Sequence, residues 1–259
     1  MAPLQARVVA SIAVAGSLLG GPARAVDIFE IQVYQGDIND AGQAGVELHT
    51  NFVARGRATA EFDGEEIPDR SLRFTLEPSY GVLPFWELGA YLQLETAPSR
   101  GRAQFGGFKL RSKFVLPRGR TGPFILGLNL EVGRGVAALG TLGWDSEVRP
   151  IIAWERGRWF VAVNPILGWA LSGDASAAPA FEPCAKVRFD THRRVAVGLE
   201  YYAGLGRLTD LPAPRQQQHV VYLAGDLLGG PIELNVGLGR GLSAVTDAWT
   251  LKVIVGKTF

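Results

Sequence analysis

The sequence predicts an all-β protein, an antiparallel transmembrane β-barrel of about twelve strands with short periplasmic turns and longer external loops. Three observations carry that reading. From Ala44 onward, apolar and polar residues alternate with the two-residue period of a strand, segment after segment. The chain is 47% hydrophobic, yet past its first residues it has no apolar run long enough to cross a membrane as a helix. The connections between segments are short on one side and mostly long on the other.

The N-terminal residues are read apart from the barrel. Arg7, an apolar run from Val8 to Leu19 and then Ala23-Arg24-Ala25 follow the order of a secretory signal, with cleavage expected after Ala25. That run of about a dozen residues falls short of the roughly 18 to 20 that span a bilayer. The lone Cys184 excludes an internal disulfide framework. A formal net charge of +1 gives no sign of a nucleic-acid partner.

Residues 26–43 (VDIFEIQVYQGDINDAGQ) begin with Phe29, Ile31 and Val33 alternating against Glu30, Gln32 and Tyr34, then pass into Gly, Asp and Asn. They suit a strand, a periplasmic lead-in or an inward-folded plug. The even strand count that follows favours the lead-in. The barrel is expected over residues 44–259.

Its first strand sets Val46, Leu48 and Phe52 against Glu47, His49 and Asn51, and the polar stretch Arg55 to Asp69 is the first long loop. Leu72, Phe74, Leu76 and Tyr80 then oppose Arg73, Thr75, Glu77 and Ser79. After a turn at Gly81 to Pro84, Trp86, Leu88, Ala90, Leu92 and Leu94 oppose Glu87, Gly89, Tyr91, Gln93 and Glu95, the most regular alternation in the chain. Past Pro98 to Gly101, Phe108, Leu110 and Phe114 oppose Lys109, Arg111 and Lys113. Past Pro117 to Gly122, Phe124 to Val132 oppose Gly127, Asn129 and Glu131 in the same way. Val148, Ile152 and Trp154 oppose Arg149, Ala153 and Glu155. Trp159, Val161, Val163 and Trp169 oppose Ala162, Asn164 and Gly168, with Pro165 expected to mark a bulge.

The last third repeats the scheme. Val187 and Phe189 oppose Lys186, Arg188 and Asp190, and Val195, Val197, Leu199 and Tyr201 oppose Arg194, Gly198, Glu200 and Tyr202. His219 to Leu228 is a strand whose register is ambiguous, because Val220 and Val221 are adjacent. Ile232, Leu234, Val236 and Leu238 oppose Glu233, Asn235, Gly237 and Gly239. In the final strand Trp249, Leu251, Val253 and Val255 oppose Thr250, Lys252 and Gly256.

Alternation alone also fits a soluble sandwich. The connections near 81–84, 117–122, 156–158, 191–193 and 229–230 are short, and those near 55–69, 133–147, 171–181 and 204–217 are long and fall at the opposite end. That asymmetry belongs to outer-membrane barrels, as does the gathering of Trp and Tyr toward strand ends. Closure leaves no unpaired strand edge in lipid.

With the apolar parity in lipid, the other parity lines the lumen. The candidates for a solute path are Glu47, His49, Asn51, Arg73, Glu77, Glu87, Glu95, Lys109, Arg111, Lys113, Glu131, Lys186, Arg188, Glu200 and Glu233. Acidic and basic strands neighbour one another, so cross-strand ion pairs are expected to fill part of the interior. Either the charges neutralise one another in a largely filled interior, or a narrow polar path runs between those left over. No catalytic constellation emerges: Thr50 lies on the opposite parity from His49, and nothing sets Ser79 level with it. No Cys and His spacing suggests a metal, and no cofactor is expected.

The segments EIQVYQGDIN (30–39), GVELHTNFV (45–53), LRFTLEPSYGVLPFWELGAYLQ (72–93) and KLRSKFVLP (109–117) resemble the outer-membrane proteins grouped as "MetA-pathway of phenol degradation", a transporter-like barrel family. The similarity covers about the first third of the mature chain. It implies a bacterial outer-membrane location, reached after secretion through the inner membrane, and passage of a small, often aromatic or hydrophobic, solute. No functional residues carry over. The last strand, ending on Phe259, resembles the terminal strand of such barrels, which implies that the insertion machinery reads Phe259. A non-conducting structural or adhesive barrel acting through its external loops is the alternative.

Overall fold

Alternation along each segment forces one face toward lipid and one toward the interior, and a sheet with that property is stable in a bilayer only if it closes. The computed structural model, described over residues 27–60, 64–96, 101–139, 143–172 and 178–259, closes it. The expected signal segment, residues 1–25, and the turn at 98–100 lie outside the described residues.

Strands β1 (Ala44–Arg55), β2 (Leu72–Leu83), β3 (Trp86–Thr96), β4 (Ala103–Val115), β5 (Phe124–Gly135) and β6 (Gly143–Arg156) are successive antiparallel neighbours. β7 comes in two pieces, Trp159–Asn164 and Leu167–Ala170, and β8 likewise as Ala180–Phe181 and Cys184–His192. β9 (Val195–Gly204, continued as Gly206–Arg207), β10 (Gln218–Leu227), β11 (Glu233–Gly241) and β12 (Trp249–Thr258) complete the ring. β12 pairs with β1 from Gly45 opposite Thr258 up to Arg55 opposite Trp249, so twelve strands close a barrel among the described residues. The break in β7 falls at Pro165, which has no N–H to give a ladder; Ile166 turns inward and its carbonyl takes the N–H of Glu182 at 3.0 Å.

Exposure separates the two faces as predicted. Leu110, Leu199 and Leu223 are 55%, 56% and 64% exposed, whereas His49, Asn129 and Ala162 are fully buried. Tyr222, Ala224 and Asp226 point inward and Leu223 outward, which settles the register of β10. The expected lumen residues Arg194 and Glu155 are exposed beside the short turns instead.

Within the stretch expected to be a lead-in or a plug, residues 29–36 lie inside the barrel wall, and residues 40–43 are exposed at its periplasmic mouth. Phe29, Glu30, Ile31, Val33 and Tyr34 are all buried. The carbonyl of Phe29 accepts from Asn51 Nδ2 (3.0 Å) and Thr75 Oγ1 (3.1 Å) in the external half, while Asn39 bonds Ser79 (2.8 Å) and Thr258 (3.0 Å) near the periplasmic mouth. The chain therefore descends the lumen before Gly42 (φ +89°) turns it into β1. Gly81 is required where the descending segment leaves, since a Cβ there would sit 2.2 Å from the Asp40 carbonyl oxygen.

At the other end the first external loop reaches over the rim, with the Glu66 N–H on the Ala138 carbonyl at 2.7 Å. Leu199, Leu223 and Leu238 lie side by side on the lipid face of β9, β10 and β11. Replacing the central one, Leu223→Arg, should destabilise the barrel by about 2–4 kcal/mol, because a mid-strand charge meets hydrocarbon. Reversible urea unfolding in lipid vesicles measures the loss; an unchanged midpoint would show that this face is not in lipid.

Candidate functional site: the filled lumen

The lumen has two unlike walls. Strands β1 to β5 present most of the lumen's charges, because their inward parity carries Glu, Arg, Lys and His among Asn, Thr, Tyr and Gln. From β5 to β8 an apolar patch, Ile125, Ile151, Ala153, Phe160, Ala162 and Cys184, is buried among the inward polar residues Asn129, Arg149, Asn164 and Lys186.

On the charged wall Arg111 spans two carboxylates, Glu77 at 2.6 Å and Glu87 at 2.7 Å, and Lys113 reaches Glu87 at 3.0 Å. His49 Nε2 lies 3.1 Å from Glu77 and 3.4 Å from Glu47. Arg73 pairs with Glu95 at 2.8 Å, and Lys109 with Glu131 at 3.2 Å and with Asp27. Across the lumen Lys186 joins Glu200 (3.1 Å) and Asp226 (2.7 Å), and Lys252 also reaches Glu200.

The inner segment alternates to match both walls. Ile31 and Val33 join the apolar cluster with Val115, Ile125, Phe160, Ile166, Tyr202 and Tyr222. Glu30 takes Arg149 Nη1 at 3.0 Å, Gln32 donates to Glu47 at 3.1 Å, and Tyr34 meets the Tyr91 hydroxyl. Its backbone has no strand partner, so side chains satisfy it. Asn164 exchanges two bonds with Tyr34, at 2.7 Å to its N–H and 3.0 Å from its carbonyl, and Lys252 Nζ donates to the Ile31 carbonyl at 2.9 Å.

Of the predicted path residues, His49, Asn51, Arg73, Glu77, Glu87, Glu95, Lys109, Arg111, Glu131, Lys186, Arg188 and Glu200 are buried inside. Glu47 and Lys113 are partly accessible, and Glu233 is exposed at the periplasmic rim. Residues not singled out also matter here. Arg149, bonded to Glu30 and at 2.6 Å to Glu147, sits 4.2 Å over the Tyr34 ring. Tyr91, Tyr202 and Asp226 complete the polar network. Parity had placed Arg149, Tyr91 and Tyr202 on the inner face; what hid them was the absence of charge at neighbouring inward positions such as Ile151 and Gly89.

Ligand atoms of Glu47, His49 and Glu77 lie within 4.8 Å of one another, a trio that sequence spacing could not show because Glu77 comes from another strand. Arg111 already neutralises Glu77 there. Ser79 is bonded to Asn39 and stands opposite Gly45, four positions from His49 along β1, while Thr75, directly opposite His49, donates its hydroxyl to the Phe29 carbonyl.

Among the described residues a small opening of about 20 Å³ lies beside Glu30, Arg149 and Tyr202, and two larger ones lie at the periplasmic mouth. One of about 250 Å³ is bounded by Gln35, Glu47, Arg188, Asp226 and Asn235. The other, about 150 Å³, lies among Tyr34, Asn39, Glu77, Glu87 and Lys113. Both are bordered by the inner segment.

A closed antiparallel barrel with hydrocarbon-like residues outside and a polar network inside is an outer-membrane β-barrel protein. Solved structures share the fold. An outer-membrane channel from Pseudomonas putida F1 matches with a TM-score of 0.56 at 14% identity, over 89% of this chain and 100% of that one. The KdgM porin matches at 0.55 and 10% identity (83% and 99% covered), and the NanC porin at 0.52 and 9% (82% and 97%). No protein-family model matches the sequence, and no curated protein matches it.

Arg149→Met should cost about 3–5 kcal/mol, because it leaves Glu30 and Glu147 buried without their main counter-charge. Arg118→Ala, whose partners Asp37 and Glu155 are exposed, should cost no more than about 1 kcal/mol. Unfolding midpoints of the two variants, compared in one detergent, test whether the lumen network is dry; equal losses would show that it is not.

Proposed function

We propose that this protein is an outer-membrane channel for a small solute, closed at rest by residues 27–43. The observation that carries the reading is that the filling is a separate piece of chain. It joins the barrel at the start of β1 and is held by side-chain bonds rather than by strand pairing, so it can leave without breaking the barrel. The channel and porin neighbours support the same reading, as does the resemblance of segments between Glu30 and Pro117 to the transporter-like phenol-pathway family.

With the segment withdrawn, the space between β1–β5 and β5–β8 has a charged side and an apolar side. Such a passage suits a small solute with one polar and one apolar face, a class that includes substituted aromatic compounds. Glu47, Lys113 and Glu233, already reachable from the periplasmic mouth, would meet the solute last on its way in. Arg111, paired with Glu77 and Glu87, would meet it deeper on the charged side. Phe259 is 67% exposed at the chain end, which agrees with its being read during insertion.

The filled lumen supports a second reading, a non-conducting barrel that acts through external loops. Planar-bilayer recordings separate the two. Wild-type protein should give small, infrequent openings, and a variant lacking residues 27–36 should give a steady conductance several-fold larger. The double variant Glu30→Gln/Arg149→Gln, which loosens the segment without shortening it, should lie between them. No conductance from any of the three, with correctly folded barrels, would remove the channel reading.

A further inference from the structure

The outward face carries a second polar site, at the level where the barrel meets the external leaflet. Alternation along β1 points Asn51 and Val53 inward, and by continuation Arg55 would follow them. It does not. The register slips between Val53 and Arg55, so that Val53 stands opposite Thr250 and Arg55 opposite Trp249, with Ala54 left as the extra residue. A bulge of this kind re-aims the side chain that follows it. Arg55 therefore shares the lipid-side face of Trp249.

On the other flank of Trp249 stands Arg240 of β11, its direct partner across the ladder. The Arg240 guanidinium lies 5.0 Å from the Trp249 ring centroid and donates to the Ala248 carbonyl at 3.1 Å. Three adjacent strands thus present Arg, Trp and Arg in one row. Strand spacing sets the two arginine backbones about 10 Å apart, close enough for long side chains to converge on one group.

The charges of this row are unspent. The cations of the lumen are matched by carboxylates, but neither Arg55 nor Arg240 has an acidic partner among the described residues. Two acids of the adjoining loops are engaged with backbone: Asp69 accepts the Gly56 N–H at 2.8 Å and Asp247 the Arg57 N–H at 3.3 Å. Around the barrel the motif recurs once more at the same end, where Arg134 of β5 stands between Phe108 of β4 and Trp144 of β6. Aromatic rings settle at the headgroup level of a bilayer, so arginines beside them are held at the height of lipid phosphates. Guanidinium groups take phosphate oxygens in paired hydrogen bonds.

We propose that Arg55, Trp249 and Arg240 form a binding site for the phosphate-bearing headgroup of an outer-leaflet lipid, of the phosphorylated glycolipid (lipid A) class, with Arg134 between Phe108 and Trp144 as a weaker second contact. The site requires only that the protein be an outer-membrane barrel, and stands whether or not the lumen conducts.

The test uses the full-length protein in neutral detergent, with bound lipid counted by native mass spectrometry and unfolding followed by heating. The probes are lipid A carrying both phosphates, the same lipid dephosphorylated, and inorganic phosphate. Wild type should retain the phosphorylated lipid and unfold at a higher temperature in its presence, with no such response to the other two. Arg55→Gln/Arg240→Gln should lower affinity about tenfold or more, and Arg55→Lys/Arg240→Lys should keep part of it. Both pairs are exposed, so the barrel should fold in each. Equal retention of the dephosphorylated lipid, an equal response to inorganic phosphate, or undiminished binding by the glutamine pair would overturn the proposal.

Discussion

Charge inside the barrel has to be matched where bulk water is scarce, and that constraint organises the molecule. Strands β1 to β5 bring Glu47, Glu77, Glu87, Glu95 and Glu131 into one wall, with Arg73, Lys109 and Arg111 interleaved by register. The wall alone does not complete the match. Arg149 on β6 needs Glu30, and Lys109 has Asp27 beside Glu131, so two acids of the inner segment belong to the same network. Pairs this deep add little net stability, since desolvation offsets most of the attraction. Their effect is on specificity, because a shift of the segment by one residue would bring Ile31 to the arginine and Glu30 to the apolar wall.

The apolar wall supplies the complementary constraint. Ile31 and Val33 dock on Ile125, Phe160 and Ile166, and this burial does favour the docked state. Gly36 lets the segment pass Ile125, for a Cβ there would lie 2.4 Å from its methyl. Thus one short stretch is tuned to two surfaces that its own alternation already distinguishes.

Much of the fold was legible because the alternation is a direct record of solvent on either side of a strand. The barrel, the strand count and the inward position of His49, Arg111 or Glu200 follow from parity and loop length. The sequence leaves the inner segment open between lead-in and plug for the same reason: Phe29 to Tyr34 alternate as any strand does, and parity does not say whether the apolar side meets lipid or another wall. Arg149 was passed over because its significance depends on Glu30, 119 positions away. The bulge at Ala54 left no mark in composition, so Arg55 read as the start of a loop.

The seam of the barrel, where the first and last strands meet, gives the descending segment a further part. Asn51 of β1 and Lys252 of β12 stand directly opposite one another across that seam. Asn51 holds the Phe29 carbonyl and Lys252 the Ile31 carbonyl, two residues apart on one peptide. The peptide is thus a clasp over the joint that turns the sheet into a ring. Docking of the segment and the integrity of the seam are thereby joined.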